Sequence, residues 1–179
     1  MSASVLVAYA TRYGSTREVA EAVAATLRER GLDVDIQPVR EVRTLEGYRA
    51  VVLGAAFYYG AWHKDADRFL LRHRAALVKR PLAVFALGPI LSPPDENEWQ
   101  ESRRQLEKQL AKSPWLAPIA LEMFGGKYDP AKLRFTDRLV ASLPASPLKQ
   151  MPASDVRDWA TIRAWASSLA AKLQPASVQ

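Results

Sequence analysis

Short apolar runs alternate along the chain with longer segments in which apolar residues recur at helical spacing. Four of the runs are apolar almost throughout, which is typical of parallel strands covered on both faces. Another run, at residues 32–37, alternates apolar residues with polar or charged ones and predicts a half-exposed edge strand. The pattern therefore predicts five strands, at residues 4–9, 32–37, 51–56, 82–87 and 119–124.

The segments between these runs predict helices. The clearest of them begins near Ser15 or Thr16 and carries Val19, Val23 and Leu27 on one face. Further helices are predicted at residues 64–78, 99–112 and 130–143, and a last one is predicted to be capped by Ser154 and Asp155.

This alternation of strands and helices indicates the fold class. In a chain of 179 residues it favours one α/β domain, a doubly wound five-stranded parallel sheet in the order 2-1-3-4-5 with helices on both faces. In that order the ligand crevice lies beyond the carboxyl ends of the first and third strands. We expect the domain to span residues 1–174 and to be followed by a frayed tail at residues 175–179.

The loop after the first predicted strand is rich in hydroxyl groups and leads directly into a helix. Free backbone amides and the positive end of the helix dipole suit an anion there. The loop has neither the G-x-G-x-x-G pattern nor the lysine of a P-loop, so a terminal phosphate monoester is the anion that fits. The alternative is that Ser15 or Thr16 is an ordinary N-cap. The candidate phosphate-binding residues are Thr11, Arg12, Tyr13, Gly14, Ser15 and Thr16.

The loop after the third predicted strand is rich in aromatic residues, whose faces can stack on a planar ring. The alternative is a hydrophobic loop packed beneath the second helix. No catalytic dyad or triad is evident. His63, Asp65 and Asp67 could act as acid and base, but at a helix start they are more simply interpreted as a solvated capping turn. The candidate ring-binding residues are Ala56, Phe57, Tyr58, Tyr59, Gly60 and Trp62, with Leu87, Gly88 and Pro89 after the next strand.

Composition narrows the function classes. The chain has no cysteine, which excludes disulfides and thiolate chemistry, and its two histidines do not predict a metal site. No apolar run reaches about 18 residues and no basic signal segment opens the chain, so we expect a cytoplasmic protein. The net charge of +6 suits an anionic lipid or an acidic partner, and without a recognition motif we expect no nucleic-acid partner.

Residues 11–16 resemble the phosphate loop of flavodoxins, T-x-T/S-G-x-T, with Arg12 and Tyr13 as departures. The pieces at residues 54–63, 124–128 and 135–138 resemble the flavodoxin-domain family that includes the quinone-dependent protoporphyrinogen dehydrogenase of bacteria. This resemblance covers nearly the whole chain. It implies FMN as the cofactor, oxidoreductase activity, and a quinone or a porphyrinogen as a redox partner.

The sequence is consistent with three functions. The first is an FMN-dependent oxidoreductase similar to that dehydrogenase, the second a one-electron carrier of the flavodoxin type, and the third a regulatory or scaffold protein without cofactor. Residues 127–152 predict a surface excursion, interpreted either as a helix on the sheet edge or as a peripheral contact with the inner face of the membrane. The apolar side chains of that excursion are Leu133, Phe135, Leu139, Val140 and Leu143.

Overall fold

The computed structural model describes residues 4–58 and 61–174 of the chain. Its strands are β1 (Ser4–Ala10), β2 (Val34–Pro38), β3 (Tyr48–Tyr58), β4 (Ala61–Trp62), β5 (Leu82–Leu87), β6 (Ala120–Phe124), β7 (Lys127–Tyr128) and β8 (Ser154–Asp155). Its helices are α1 (Ser15–Glu29), α2 (Lys64–Leu77), α3 (Glu96–Ala111), α4 (Phe135–Ser142) and α5 (Trp159–Leu173), with a 3₁₀ turn at Pro130–Lys132.

Five parallel strands form the main sheet in the order β2-β1-β3-β5-β6. The five predicted strands stand in the predicted order, so the doubly wound flavodoxin-like fold is confirmed. The two-residue strand β4 adds an antiparallel partner to the end of β3. The connections that leave β1 and β3 run in opposite directions along the sheet, which leaves a crevice beyond the carboxyl ends of these two strands.

Each strand side chain packs into one of two layers, because successive side chains point to opposite faces of the sheet. Val5 and Val7 of β1 pack against α1 and α5, whereas Leu6 and Ala8 lie in the layer that contains α2. A smaller cluster around Leu106 joins α3 to the same side of β5 and β6. The helices therefore cover both faces of the sheet, and the crevice lies at the carboxyl ends of the strands between the two helical layers.

Several elements differ from their predicted bounds: β2 begins at Val34 and not at residue 32, and β3 extends beyond residues 51–56 at both ends. Helix α3 begins at Glu96, three residues before the predicted start, because the Asp95 side chain accepts a hydrogen bond from Glu98 N at 2.8 Å and caps it. Residues 154 and 155 do not cap the last helix; they form β8, paired with β7, and Asp158 is the cap of α5. The helix predicted at residues 130–143 divides into the 3₁₀ turn and α4.

Some predictions fall on parts of the chain that the structure does not describe. Tyr59, Gly60 and the tail at residues 175–179 lie outside the described residues. Within residues 4–58 and 61–174, no helix combines the length and the apolar character that crossing a membrane requires.

Candidate functional site

A cavity of about 480 Å³ opens beyond the carboxyl ends of β1, β3 and β5. This volume lies within the range of about 300–1,000 Å³ that is typical of small-molecule sites. The hydroxyl-rich loop, the end of β3 and the end of β5 meet there, although they are far apart in the chain. The predicted site residues that line the cavity are Arg12, Tyr13, Ser15, Ala56, Phe57, Leu87 and Gly88.

Among the residues that the structure describes, no side chain caps the first turn of α1. Gly14 is the N-cap residue, at φ 93°, and its amide donates to Thr11 Oγ1 at 3.0 Å. A glycine cannot cap with a side chain, and the first hydrogen bond of the helix runs from Glu18 N to Gly14 O at 3.1 Å. The alternative that Ser15 or Thr16 is the N-cap is therefore wrong, and the first-turn amides stay available to an anion.

Thr16 supplies a second sign of an absent partner. Its side chain is fully buried, and its Oγ1 has no hydrogen-bond partner among the residues that the structure describes. A buried hydroxyl without a partner is costly, and native structures usually satisfy such a group with a ligand, a water or another side chain. Thr16 stands in the first turn of α1 next to Ser15, which lines the cavity, whereas the fully buried Thr16 does not line it.

Arg12 and Tyr13, the two departures from the flavodoxin loop, bind one carboxylate of α4. Arg12 Nε donates to Asp137 Oδ2 at 2.7 Å and Arg12 Nη2 donates to Asp137 Oδ1 at 2.6 Å. The Tyr13 hydroxyl donates to the same Oδ2 and accepts from Arg134 N at 3.2 Å. The charge of Arg12 is therefore paired within the protein, and the loop is joined to the excursion at residues 127–152.

The aromatic loop divides between the cavity and the core. Phe57 lines the cavity and stacks on Trp62, with ring centroids 6.4 Å apart and an interplanar angle of 11°. Trp62 is 4% exposed and belongs to the core layer that contains Phe69 of α2, as the hydrophobic alternative expected. Trp62 therefore packs against the Phe57 ring from the core. Tyr58 pairs through its backbone with Ala61.

The loop after β5 is held in place by a carboxylate that sequence reasoning missed. Glu98 of α3 accepts from Ile90 N at 2.9 Å and from Leu91 N at 3.0 Å. Beside it, Gly126 N donates to Pro89 O at 2.6 Å, and Ser154 Oγ donates to Ile90 O at 2.6 Å. These bonds fix the loop at residues 87–91, whose cavity-lining residues are Leu87, Gly88, Ile90 and Leu91. The predicted ring-binding residue Pro89 does not line the cavity.

Arg157 is a second residue that sequence reasoning missed. Its side chain is 3% exposed and donates to Asp155 at 2.8 and 2.6 Å and to Glu18 Oε2 at 2.7 Å. Hydrogen bonding to Arg157 holds the pKa of Asp155 below its usual range. This buried guanidinium joins β8 to α1, directly behind the loop of residues 11–16, and nothing in the local pattern distinguishes Arg157 from the other arginines.

His63 and Asp65 form a capping turn, as the sequence indicated, but the turn is not solvated, because Asp65 is buried. His63 Nδ1 accepts from Asp65 N at 3.2 Å at the start of α2. The Asp65 carboxylate pairs with Arg40 and with Arg68, the latter at 3.2 Å. Neither His63 nor Asp65 lines the cavity, so the acid and base reading has no support from the geometry.

The charges around the cavity are mixed. Among the described residues, acidic side chains line it from α1, α3 and the excursion, and basic ones line it from the first loop and the excursion. Phe57, Leu87, Leu133 and Leu148 add apolar surface. The charged lining residues are Glu18, Glu98, Glu101, Asp129 and Asp137, with Arg12, Lys127 and Lys132.

Known proteins resemble this chain in sequence and in fold. The family model described as a flavodoxin domain matches residues 6–153. The protoporphyrinogen IX dehydrogenase (quinone) of Escherichia coli is 29% identical over 140 residues, covering 77% of this chain and 76% of that protein. The protein of the same name in Leishmania major is 24% identical over 177 residues, which are 95% of this chain and 76% of that protein.

The solved structures add the fold. Oxidised flavodoxin 1 of Bacillus cereus superimposes with a TM-score of 0.58 at 14% identity, over 96% of this chain and 99% of that one. A flavodoxin from the domain Archaea gives a TM-score of 0.56 at 13% identity, over 94% and 97%. With a family model that matches most of its length, the chain belongs to the flavodoxin domain family.

Proposed function

We propose that this protein binds FMN in the cavity and acts as an FMN-dependent oxidoreductase linked to a quinone, with a porphyrinogen as electron donor. The observation that carries the proposal is the first turn of α1. No side chain caps its amides, the buried Thr16 hydroxyl beside them has no partner among the described residues, and Ser15 of the same turn lines the cavity. A phosphate monoester bound at this turn would accept hydrogen bonds from the amides and from the Thr16 hydroxyl.

Each end of the cavity suits one end of such a ligand. The amides of Ser15 and Thr16 would hold the phosphate, and Thr11 fixes the loop conformation through Gly14 N. At the other end, Ala56, Phe57 and Leu87 offer apolar surface to a planar ring. When bound, the flavin supplies the redox chemistry, accepting electrons from the donor and passing them to the acceptor, while the protein provides orientation and electrostatics.

The substrate class rests on the relatives. Two proteins named protoporphyrinogen IX dehydrogenase (quinone) match this chain over three quarters of their own length. Leu133, Leu148 and Met151 of the excursion add apolar surface to the cavity lining, which suits a lipid-borne quinone or a macrocyclic donor. These features favour an enzyme with its own substrate over a one-electron carrier.

Flavin content and turnover test the proposal together. The purified protein should release one FMN per chain on denaturation, and it should reduce a quinone when protoporphyrinogen is supplied. Relay of electrons to a reductase without quinone turnover would assign the protein to the carriers. If the protein takes up no FMN when it is titrated with the flavin, the regulatory or scaffold function is favoured instead.

We also propose that the protein works in the cytoplasm, at the inner face of the membrane, through α4. An amphipathic helix on a globular protein normally turns its apolar side inward. In α4 the opposite holds: Asp137 faces the β1–α1 loop, whereas Phe135 is 75% exposed. The other outward apolar residues are Leu139, Val140 and Leu143, and the basic residues around them are Lys132, Arg134, Arg138 and Lys149. Apolar residues among cations suit an anionic lipid surface.

A further inference from the structure

We propose that Asp137 is a positioning residue that holds residues 129–151 over the cavity as a strap, and so sets the rate at which the flavin enters and leaves. The inference rests on the proposed function, because the flavin occupies the cavity beneath. Asp137 acts through Arg12 and Tyr13, which stand in the loop that would hold the phosphate. While these hydrogen bonds are intact the strap stays attached to the loop, and when they break the strap can move away from it.

The strap forms one wall of the cavity along much of its length. Its two ends are anchored by β7 and β8, which pair Lys127 with Asp155 and Tyr128 with Ser154. Between those anchors Asp137 joins the chain to Arg12 and Tyr13 of the β1–α1 loop. The strap residues that line the cavity, besides Asp137, are Asp129, Lys132, Leu133, Pro147, Leu148 and Met151.

Between its anchors the strap has few apolar contacts with the body of the protein. Within α4, which the structure describes in full, Ala141 is the buried residue, and the larger apolar side chains point outward. The Asp137 side chain is 19% exposed and accepts two hydrogen bonds from Arg12 and one from Tyr13. A segment with little buried apolar area is easily opened, so this polar contact has a large share in keeping it closed.

The size of the effect follows from the bonds that would be lost. Hydrogen bonds to charged groups are stronger than neutral ones, and Arg12 forms a two-pronged contact with the carboxylate. Replacing Asp137 by Asn removes the charge and one acceptor while keeping the shape of the side chain. We expect the strap to open about tenfold more often in Asp137→Asn than in the unmodified protein.

Hydrogen exchange and rapid mixing test this on the full chain. In Asp137→Asn, amides of residues 133–143 should exchange about tenfold faster without flavin, while those of β3 and β5 stay protected. Association and dissociation of FMN should both speed up by about tenfold, with less than about a threefold change in Kd, and riboflavin should behave alike. The matched control for the exchange measurement is Glu101→Gln, which removes a carboxylate of α3 from the cavity lining and should leave the exchange of residues 133–143 unchanged.

The outcomes distinguish a strap from a purely electrostatic effect of the Asp137 charge on the phosphate. Unchanged exchange in residues 133–143 would overturn the proposal, and so would a change in Kd for FMN alone, because that reports only the charge. Asp137→Glu, which keeps the carboxylate, should recover most of the slow exchange. If the unmodified protein binds no flavin, the proposed function fails, whereas the exchange of residues 133–143 still decides whether Asp137 closes the strap.

Discussion

Gly54 of β3 and Phe85 of β5 are directly paired across the sheet, and the phenyl ring lies over the glycine. A Cβ at position 54 would lie within 2.7 Å of three ring carbons. The ring needs this space because it also contacts the rings of Phe124 and Trp165, each with centroids 5.9 Å away. The glycine therefore allows an aromatic cluster to join the central strands to α5, just below the cavity.

The first prediction concerns this contact. Gly54→Ala should destabilise the protein by about 1–3 kcal/mol, because the fully buried Phe85 ring cannot move without disturbing its neighbours. Urea unfolding measures the loss. In a Phe85→Leu background the same substitution should cost clearly less, so a double-mutant cycle should show coupling between the two positions. Equal costs in both backgrounds would contradict the prediction.

The second prediction concerns the unpartnered hydroxyl of Thr16. Thr16→Val keeps the shape and removes the hydroxyl, so the protein without flavin should be as stable as before or more stable by up to about 1 kcal/mol. FMN binding should weaken by about tenfold or more, because a hydrogen bond to a charged phosphate is lost, and riboflavin binding should change less than about twofold. Fluorescence titration with both flavins gives the two affinities.

Thr26 of the same helix is the matched control. It is also buried, but its hydroxyl donates to Ala22 O at 2.9 Å. Thr26→Val should therefore leave both flavin affinities unchanged, because the side chain is distant from the loop. If Thr16→Val bound FMN as tightly as the unmodified protein, the phosphate would not lie at this turn.

The fold could be predicted because burial in this class follows local periodicity. The apolar run at residues 82–87 forms β5 with the predicted bounds, and the run at residues 51–56 is the centre of β3. A strand that is apolar throughout must be covered on both faces, which in a chain that alternates strands and helices leads to the doubly wound sheet. The two loops that face the crevice follow from that order.

The polar contacts around the cavity could not be predicted, because they join residues far apart in the chain. Asp137 lies 125 positions from Arg12, and Arg157 lies 139 positions from Glu18. Arg157 has no local pattern that distinguishes it from other arginines, and the family resemblance of residues 135–138 names no partner for Asp137. The strands β7 and β8 are two residues long, too short for any periodicity, so residues 154 and 155 resembled a helix cap.

The third prediction concerns pH. Burial holds the pKa of His63 below its usual value, although Asp65, 3.7 Å away, favours the proton. Protonation would also remove the acceptor that caps α2. On acidification the unfolded chain binds the proton before the folded protein does. The free energy of unfolding therefore keeps its full value above a pH of about 6.5 and falls as the pH is lowered toward the pKa of His63 in the folded protein. For one proton the loss is at most about 1.4 kcal/mol per pH unit.

His63→Asn is the variant that tests this. Asparagine caps helices well and does not titrate in this range, so the variant should lose less stability on acidification than the unmodified protein. Urea unfolding in buffers from about pH 7.5 down to about pH 5.5, on either side of the ordinary histidine pKa, gives the comparison. His73, whose pKa is also lowered by burial, remains in the variant and should leave part of the dependence. Identical pH profiles would mean that His63 does not contribute.

The last prediction concerns the outward face of α4. Phe135→Ser with Leu139→Ser should reduce binding to vesicles that contain anionic lipid by about tenfold or more. The reason is that both apolar side chains are exposed to water and would be transferred into the lipid surface on binding. Arg134→Gln with Arg138→Gln should weaken the same binding and reduce its dependence on salt. Vesicle sedimentation with and without anionic lipid measures both effects.

Leu71 of α2 provides the control, since it is 68% exposed and lies on another helix. Leu71→Ser should leave vesicle binding unchanged if α4 is the contact, and it should lower binding as much as the α4 variants if any exposed apolar residue suffices. The neutral vesicles separate the two forces, because the cations around α4 act only on charged lipid, whereas Phe135 and Leu139 act on both. Complete recovery of the unmodified protein in the supernatant, with either vesicle, would refute the membrane contact and leave the outward face of α4 to a protein partner.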